Sequence, residues 1–71
     1  MDRPMQQRHL EQAERHIAQG KRHIDEQEER IAALARIGAD TTEARKLLNN
    51  FYATQAQHIE HRARILRELE K

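Results

Sequence analysis

The chain has 71 residues, of which 35% are charged and 37% hydrophobic, and its formal net charge is +1. This length is enough for one small domain, residues 1–71. The near balance of charge argues against a dedicated nucleic-acid binder, which usually carries an excess of basic residues or a basic patch. Because there is no cysteine, a disulfide framework and a Cys-ligated zinc site are excluded.

The sequence also lacks the features of a membrane or secreted protein. No segment approaches the run of about 20 apolar residues that a membrane span requires. The first five residues lack the apolar core of a signal peptide. We therefore expect a cytoplasmic protein that does not associate with a membrane. Only two glycines and one proline interrupt a chain rich in Glu, Arg, Gln and Ala, which predicts helix almost throughout.

The first helix is predicted over about residues 3–37. It carries an apolar seven-residue repeat with a strong a layer and a weak d layer, as in a coiled-coil seam. The a positions are Leu10, Ile17, Ile24 and Ile31, and the d positions are Ala13, Gly20, Gln27 and Leu34. Gly20 is interpreted as a site of close packing against a bulky neighbour, with a hinge as the alternative.

The turn is predicted at residues 38–40. Gly38 suits the left-handed residue that ends a helix, because it has no Cβ to clash. Asp40 can cap the next helix, and Glu43 can reach back to the N–H of Asp40, as in a capping box. Two helices joined by so short a loop must lie antiparallel, so the fold class is all-α, an antiparallel two-helix hairpin.

The second helix is predicted over about residues 41–70. Its apolar face is wide on a helical wheel and comprises Ala44, Leu48, Phe51, Gln55, Ile59, Arg62, Leu66 and Leu69. We expect Leu47, His58 and Ile65 on one flank of this face and Tyr52 on the other.

The width of these stripes predicts self-association. A lone hairpin offers each helix only one partner, and so small a chain rarely holds a sufficient core by itself. We therefore expect a homodimer that forms an antiparallel four-helix bundle. The predicted core and self-association residues are Leu10, Ile17, Ile24, Ile31, Leu34, Leu47, Leu48, Phe51, Ile59, Ile65, Leu66 and Leu69.

Three polar residues fall within this predicted core, namely Gln27, Gln55 and Arg62. A buried polar residue destabilises a seam unless it is paired, and its best-attested use is to fix register and partner number. The two glutamines could hydrogen-bond to each other across the core. Arg62 could pair with Glu14 or with an acidic residue of another chain, or it could extend along the seam with its head group in water.

Five histidines in so short a chain suggest a metal site. If residue i faces roughly residue 78 − i across the hairpin, His16 lies near His61 and Arg62, and His58 lies near Gly20. Such a site for Zn²⁺, Ni²⁺ or Cu²⁺ could draw on His16, His58 and His61, with His23 or Glu60. The chain has no Glu-x-x-His or His-Glu-x-x-His motif, so we favour the alternative that the histidines flank the core as structural residues. A pH-sensitive interface is a third interpretation.

Catalysis and nucleic-acid binding have little support. The chain contains no cysteine, no serine and no glycine-rich phosphate loop, so we expect no enzymatic activity and no cofactor. A basic stretch near the C-terminus is interrupted by glutamates, which makes nucleic-acid binding a weak third function; its residues are Arg62, Arg64, Arg67 and Lys71.

A familiar pattern runs over nearly the whole chain, and its most specific parts are the Gly-x-Asp-Thr turn and the histidine spacing. It comprises His9-Leu10, Ala13-Glu14-Arg15-His16, Gly20, His23-Ile24, Gln27, Ile31, Leu34, Gly38, Asp40-Thr41, Ala44, Leu47-Leu48, Phe51, Gln55, His58, Arg62, Ile65-Leu66 and Leu69. The pattern resembles a group of short helical-hairpin proteins, of unknown function, from alphaproteobacteria and rhizobia in particular. The resemblance implies a bacterial, cytoplasmic protein and no particular activity.

From these observations we expect a small structural or protein-interaction module. It would self-associate through its hairpin and could offer a groove to another helical protein. A His-based metal-binding bundle is the alternative function.

Overall fold

The protein is a helical hairpin in a computed structural model that describes residues 3–70. Helix α1 spans Arg3–Arg36 and helix α2 spans Thr42–Glu70, and the two pack against each other along their length. The predicted all-α hairpin is confirmed, with helix ends within one residue of those expected. Met1, Asp2 and Lys71, which the predicted domain and basic stretch include, lie outside the described residues.

Helix α1 ends in a Schellman motif. Gly38 has a positive φ of 72°, a conformation that residues with a Cβ adopt only at a cost. The N–H of Gly38 donates to the carbonyl of Ala35 at 3.1 Å, and the N–H of Ala39 donates to the carbonyl of Leu34 at 2.9 Å. These bonds satisfy two carbonyls that the helix end would otherwise leave free.

Asp40 stabilises the start of α2. Its Oδ1 accepts a hydrogen bond from the Thr42 N–H at 2.9 Å and another from the Thr42 hydroxyl at 2.7 Å. The hydroxyl and then the backbone N–H of Thr42 lower the pKa of the Asp40 carboxyl. The expected capping box is wrong in one part, because the Glu43 carboxylate instead accepts from Lys46 Nζ at 3.3 Å. These oppositely charged side chains lie three residues apart on neighbouring turns, where they meet readily.

The seam between the helices is narrow. The best-buried side chains are Ala13 and Gln27, which are 2% and 5% exposed, together with Ile31 and Ile65. Ala13 and Gln27 occupy d positions of the first repeat, so the predicted seam of α1 is confirmed there.

The predicted centre of the α2 face needs correction. His58 and Ile65, expected on a flank, lie in the seam, whereas Ile59 and Leu66 are largely exposed. Helix α2 meets α1 through alternating steps of three and four residues that follow a 3.5-residue period. A helical wheel averages over all apolar residues of α2. It therefore centres the predicted face between the seam with α1 and the neighbouring row that contains Ile59 and Leu66.

The register across the hairpin also differs from the expected one. His16 faces His58 and His23 faces Phe51, whereas the predicted register places these histidines opposite Arg62 and Gln55. The difference is one helical turn. In this register α2 begins beside the last turns of α1, since Gln27 of α1 reaches the carbonyl of Ala44 in the first turn of α2.

Two glutamines tie the helices together, although not to each other as expected. Gln27 Nε2 donates to the carbonyl of Ala44 at 2.9 Å, and Gln55 Nε2 donates to the carbonyl of Ile17 at 2.8 Å. Each side chain therefore reaches the backbone of the opposite helix. At the open end of the hairpin, the Arg3 guanidinium donates to the carbonyl of Leu69 at 3.1 Å.

Gly20 provides the space for Gln55, which supports the close-packing interpretation over a hinge. A Cβ on Gly20 would overlap Oε1 of Gln55 and lie 2.8 Å from its Cδ. This oxygen is buried and has no conventional hydrogen-bond partner. It faces the Cα hydrogens of Gly20, which can offer only a weak C–H···O contact.

We expect Gly20→Ala and Gln55→Ala to be strongly coupled. In the Gln55→Ala background, Gly20→Ala should raise the free energy of unfolding by about 1 kcal/mol, because alanine is the better helix former. In the wild-type background this gain should vanish, because the new Cβ displaces the Gln55 amide and its hydrogen bond, worth about 1 kcal/mol. Urea unfolding of the four variants at one protein concentration measures the coupling.

Gly38→Ala is the matched control for this cycle. A Cβ at Gly38 would meet nothing within 4 Å, so its cost is only the positive φ, about 1–2 kcal/mol. Gly38→Ala should therefore lower the free energy of unfolding by the same amount in the wild-type and Gln55→Ala backgrounds. Additive effects of Gly20→Ala and Gln55→Ala would contradict the close contact.

We expect Asp40→Ala to lower the melting temperature more at pH 7 than at pH 3. A carboxyl whose pKa is lowered in the folded state stabilises the protein above its unfolded pKa, ordinarily 3.8, and loses this effect as the pH falls through the folded pKa. Circular dichroism melts at both pH values test this. Glu11→Ala, at an exposed position of α1, is the control, and an equal loss at both pH values would show that the Asp40 charge is irrelevant.

Candidate functional site

The hairpin has two long sides that differ in chemistry. On one side α2 presents a row of apolar residues, which we call the apolar face; it comprises Tyr52, Ala56, Ile59, Ala63 and Leu66. On the other side both helices contribute to what we call the histidine groove. Within residues 3–70, neither helix combines the length and the apolarity needed to cross a bilayer.

The apolar face has the pattern of a second packing seam. Tyr52, Ile59 and Leu66 recur every seven residues and are 44%, 47% and 38% exposed. Ala56 and Ala63 lie between them, so that large and small side chains alternate in steps of four and three residues. This alternation is the knob-and-hole arrangement of a helix that packs against another helix. The hairpin itself leaves this seam without a partner among the described residues.

A hydrogen bond anchors one end of the apolar face. The Tyr52 hydroxyl donates to Glu28 Oε2 at 2.6 Å across the two helices. This hydrogen bond is the main reason that the pKa of Tyr52 is raised, because it favours the neutral phenol. The hydroxyl therefore has a polar partner while the ring keeps an exposed apolar surface.

The histidine groove consists of three adjoining hollows along the opposite side of the hairpin. All five histidines of the chain line it. The histidines of α1 and Arg30 follow a seven-residue spacing, which keeps them on one side of that helix. The groove histidines are His9, His16, His23, His58 and His61.

Two ring pairs bridge the helices inside the groove. The rings of His16 and His58 have centroids 5.2 Å apart and planes inclined at 45°. One heptad closer to the turn, His23 packs against Phe51 with centroids 5.7 Å apart. Such tilted contacts are typical of favourable ring packing. Imidazoles therefore take part in the helix–helix contact while facing the groove.

The histidines proposed as metal ligands are only partly brought together. His16 and His58 meet, and His61 lines the same hollow as His16. His23 lies a heptad away beside Phe51, and the Glu60 carboxylate lies 3.6 Å from the Arg67 guanidinium. Across residues 3–70 no group of three or more candidate ligands is arranged to hold a metal ion.

Arg62 lies half-buried in the seam of α2 and does not form the expected pair with Glu14. Its Nε is buried and has no hydrogen-bond partner. A guanidinium nitrogen that is removed from water without a hydrogen-bond partner destabilises the folded protein.

The predicted core residue Leu47 does not lie in the core. It is 41% exposed and borders the groove beside Phe51.

The sequence interpretation missed the small residues that shape these surfaces. Ala56 and Ala63 complete the second seam, and Thr54 and Gln19 line the groove between the histidines. The seven-residue repeat of Tyr52, Ile59 and Leu66 was the available signal for the second seam. The predicted broad face obscures this repeat, because it merges Ile59 and Leu66 with the true seam and leaves Tyr52 on its flank.

Comparisons with known proteins give no match. No family model, curated protein or solved structure is significantly similar to this chain. The geometry of the two sides is therefore the basis for a functional proposal.

We expect Arg62→Met to stabilise the isolated hairpin by about 1 kcal/mol, because it retains the side-chain length and removes an unpartnered buried donor. Arg64→Met, at an exposed position of α2, is the matched control and should change stability little. Urea unfolding at a low protein concentration provides the comparison. A marked loss of stability on Arg62→Met would instead show that the guanidinium has a partner, for which an acidic residue of a second chain would be the candidate.

Proposed function

We propose that this protein is a small non-enzymatic interaction module that self-associates through its apolar face. Two hairpins pack these faces together and form a four-helix bundle. The observation that carries the proposal is the second seam on α2, which is complete in pattern and whose three large side chains are 38–47% exposed.

Surface area supports this proposal. The chain exposes 5517 Å² at a mass of 8.4 kDa. A compact monomer of this mass would expose about 4,600 Å². Two chains therefore carry an excess of about 1,800 Å², which is the area of a standard protein–protein interface. A second copy of the chain is large enough to cover this excess.

The pattern of α1 at the same side is compatible with a second copy. Leu10, Ile17 and Ile24 are only half-buried by α2, so they can contribute to a further helix contact. The residues four positions after these are Glu14, Lys21 and Glu28, whose charges alternate along the edge. Two such edges oppose like charges when Lys21 faces Lys21, but an offset of seven residues pairs Glu14 with Lys21, which favours that arrangement of the partner.

The proposal extends to the setting that the resemblance implies, a bacterial cytoplasm. An oligomeric scaffold of this kind needs no catalytic group, because its activity is the assembly itself. The opposite side of each hairpin, with the histidine groove, stays accessible in such a dimer.

We expect the untagged protein to have twice its 8.4 kDa mass by light scattering at micromolar concentrations. Its melting temperature should rise with protein concentration, because association stabilises the folded state by mass action. Ile59→Glu should give a helical monomer, since it places a charge at the centre of the apolar face.

Two matched variants keep this test specific. Gln57→Glu adds the same charge on an exposed position of α2 away from the apolar face, and Thr54→Glu adds it in the histidine groove. Both should remain dimers. Dissociation by Thr54→Glu alone would move the interface to the groove, and a wild-type monomer at high micromolar concentration would refute self-association.

A further inference from the structure

The histidine groove contains one pair of imidazoles supplied by different helices, His16 from α1 and His58 from α2. We propose that this pair binds a divalent transition-metal ion of the Zn²⁺, Ni²⁺ and Cu²⁺ class, and that the ion clamps the hairpin. The inference does not depend on self-association, because both ligands belong to one chain.

The separation of the two rings suits a shared ion. On a tetrahedral zinc with Zn–N bonds of about 2.0–2.1 Å, two imidazoles have ring centroids about 5 Å apart. The centroids of His16 and His58 are 5.2 Å apart, and their planes are tilted rather than stacked face to face. An ion can therefore be bound by adjusting the side-chain torsions, without moving the helices apart.

The proposed site has two protein ligands. His61 lies three residues after His58 and lines a neighbouring hollow with His16, but these three histidines are not arranged as a metal-binding group. Water would occupy the remaining coordination positions.

Ring packing separates the pair from the third histidine of its hollow. Besides its histidines, the hollow is lined by uncharged residues, including Gln19, Thr54 and Gln55. His23 lines the same hollow, but its ring packs against Phe51 rather than against the pair. His23 is therefore left out of the proposed ligand set.

Binding should follow imidazole chemistry. For a site of this type the affinity should follow the order Cu²⁺ above Ni²⁺ and Zn²⁺. Because the ligands come from opposite helices, the ion binds the folded hairpin and should raise its melting temperature.

The test is isothermal titration of the full-length untagged protein with each metal chloride at pH 7.5, together with melting curves with and without EDTA. We expect chelator-reversible binding of one ion per chain. His16→Gln and His58→Gln should each weaken binding about tenfold or more, since even the outer partners of a metal ligand change affinity by 10–100-fold. His23→Gln is the matched control and should bind as the wild type does.

A measurement on the wild-type protein covers the case in which a variant fails to fold. In a nitrogen-15 spectrum of the imidazole groups, added Zn²⁺ should shift the nitrogens of His16 and His58 and leave those of His23 unchanged. The Ile59→Glu monomer should bind equally well, which separates this inference from the dimer. The proposal would be overturned if the wild-type protein bound no metal, or if binding survived both His16→Gln and His58→Gln. It would also be overturned if His23→Gln lost as much metal affinity as these two variants.

Discussion

A hairpin of two helices can bury only one narrow strip of each, and the remaining features of this molecule follow from that constraint. The strip here is centred on small and polar residues as much as on large apolar ones. Ala13 and Gln27 at d positions are better buried than Leu10 or Ile24 at a positions. Of the aliphatic side chains at the a positions, only Ile31 is buried and the others are half-covered. The helices therefore meet closely, while part of the apolar surface that would stabilise a globular core stays available on one side.

Polar side chains in the seam set the alignment of the helices. Gln27 and Gln55 each donate to a backbone carbonyl of the opposite helix, and such a bond is possible only at one relative height. Gly20 allows the second of these side chains to fit. Apolar residues alone would tolerate a slip of one heptad, about two turns, since the repeat presents similar side chains seven residues apart. The glutamines thus select the register that brings the rings of His16 and His58 together.

The features that depend on local chemistry could be predicted from the sequence. The alignment of the two helices could not, because it depends on the three-dimensional path of the chain. The two helices and the Gly38 turn follow from composition, from the seven-residue repeat and from the need for a positive φ, and the structure confirms them. The register depends on where along α1 the second helix begins, which no local pattern records. The same limit affected α2, where Ile59 and Ile65 are equally apolar but only Ile65 lies in the seam. Consequently the helices carrying the histidines could be predicted, but the histidine pair that meets could not.

The histidine groove has its origin in a repeated dipeptide of α1. An aliphatic residue follows a histidine at His9-Leu10, at His16-Ile17 and at His23-Ile24. Successive residues of a helix point about 100° apart, so each dipeptide places its aliphatic group in the seam and its imidazole beside the seam, in the groove. The spacing of seven residues repeats this division along the helix. One short repeat of α1 therefore supplies both seam residues and groove residues, whereas the apolar face comes from α2. The groove and the apolar face are distinct surfaces because the seam lies between them.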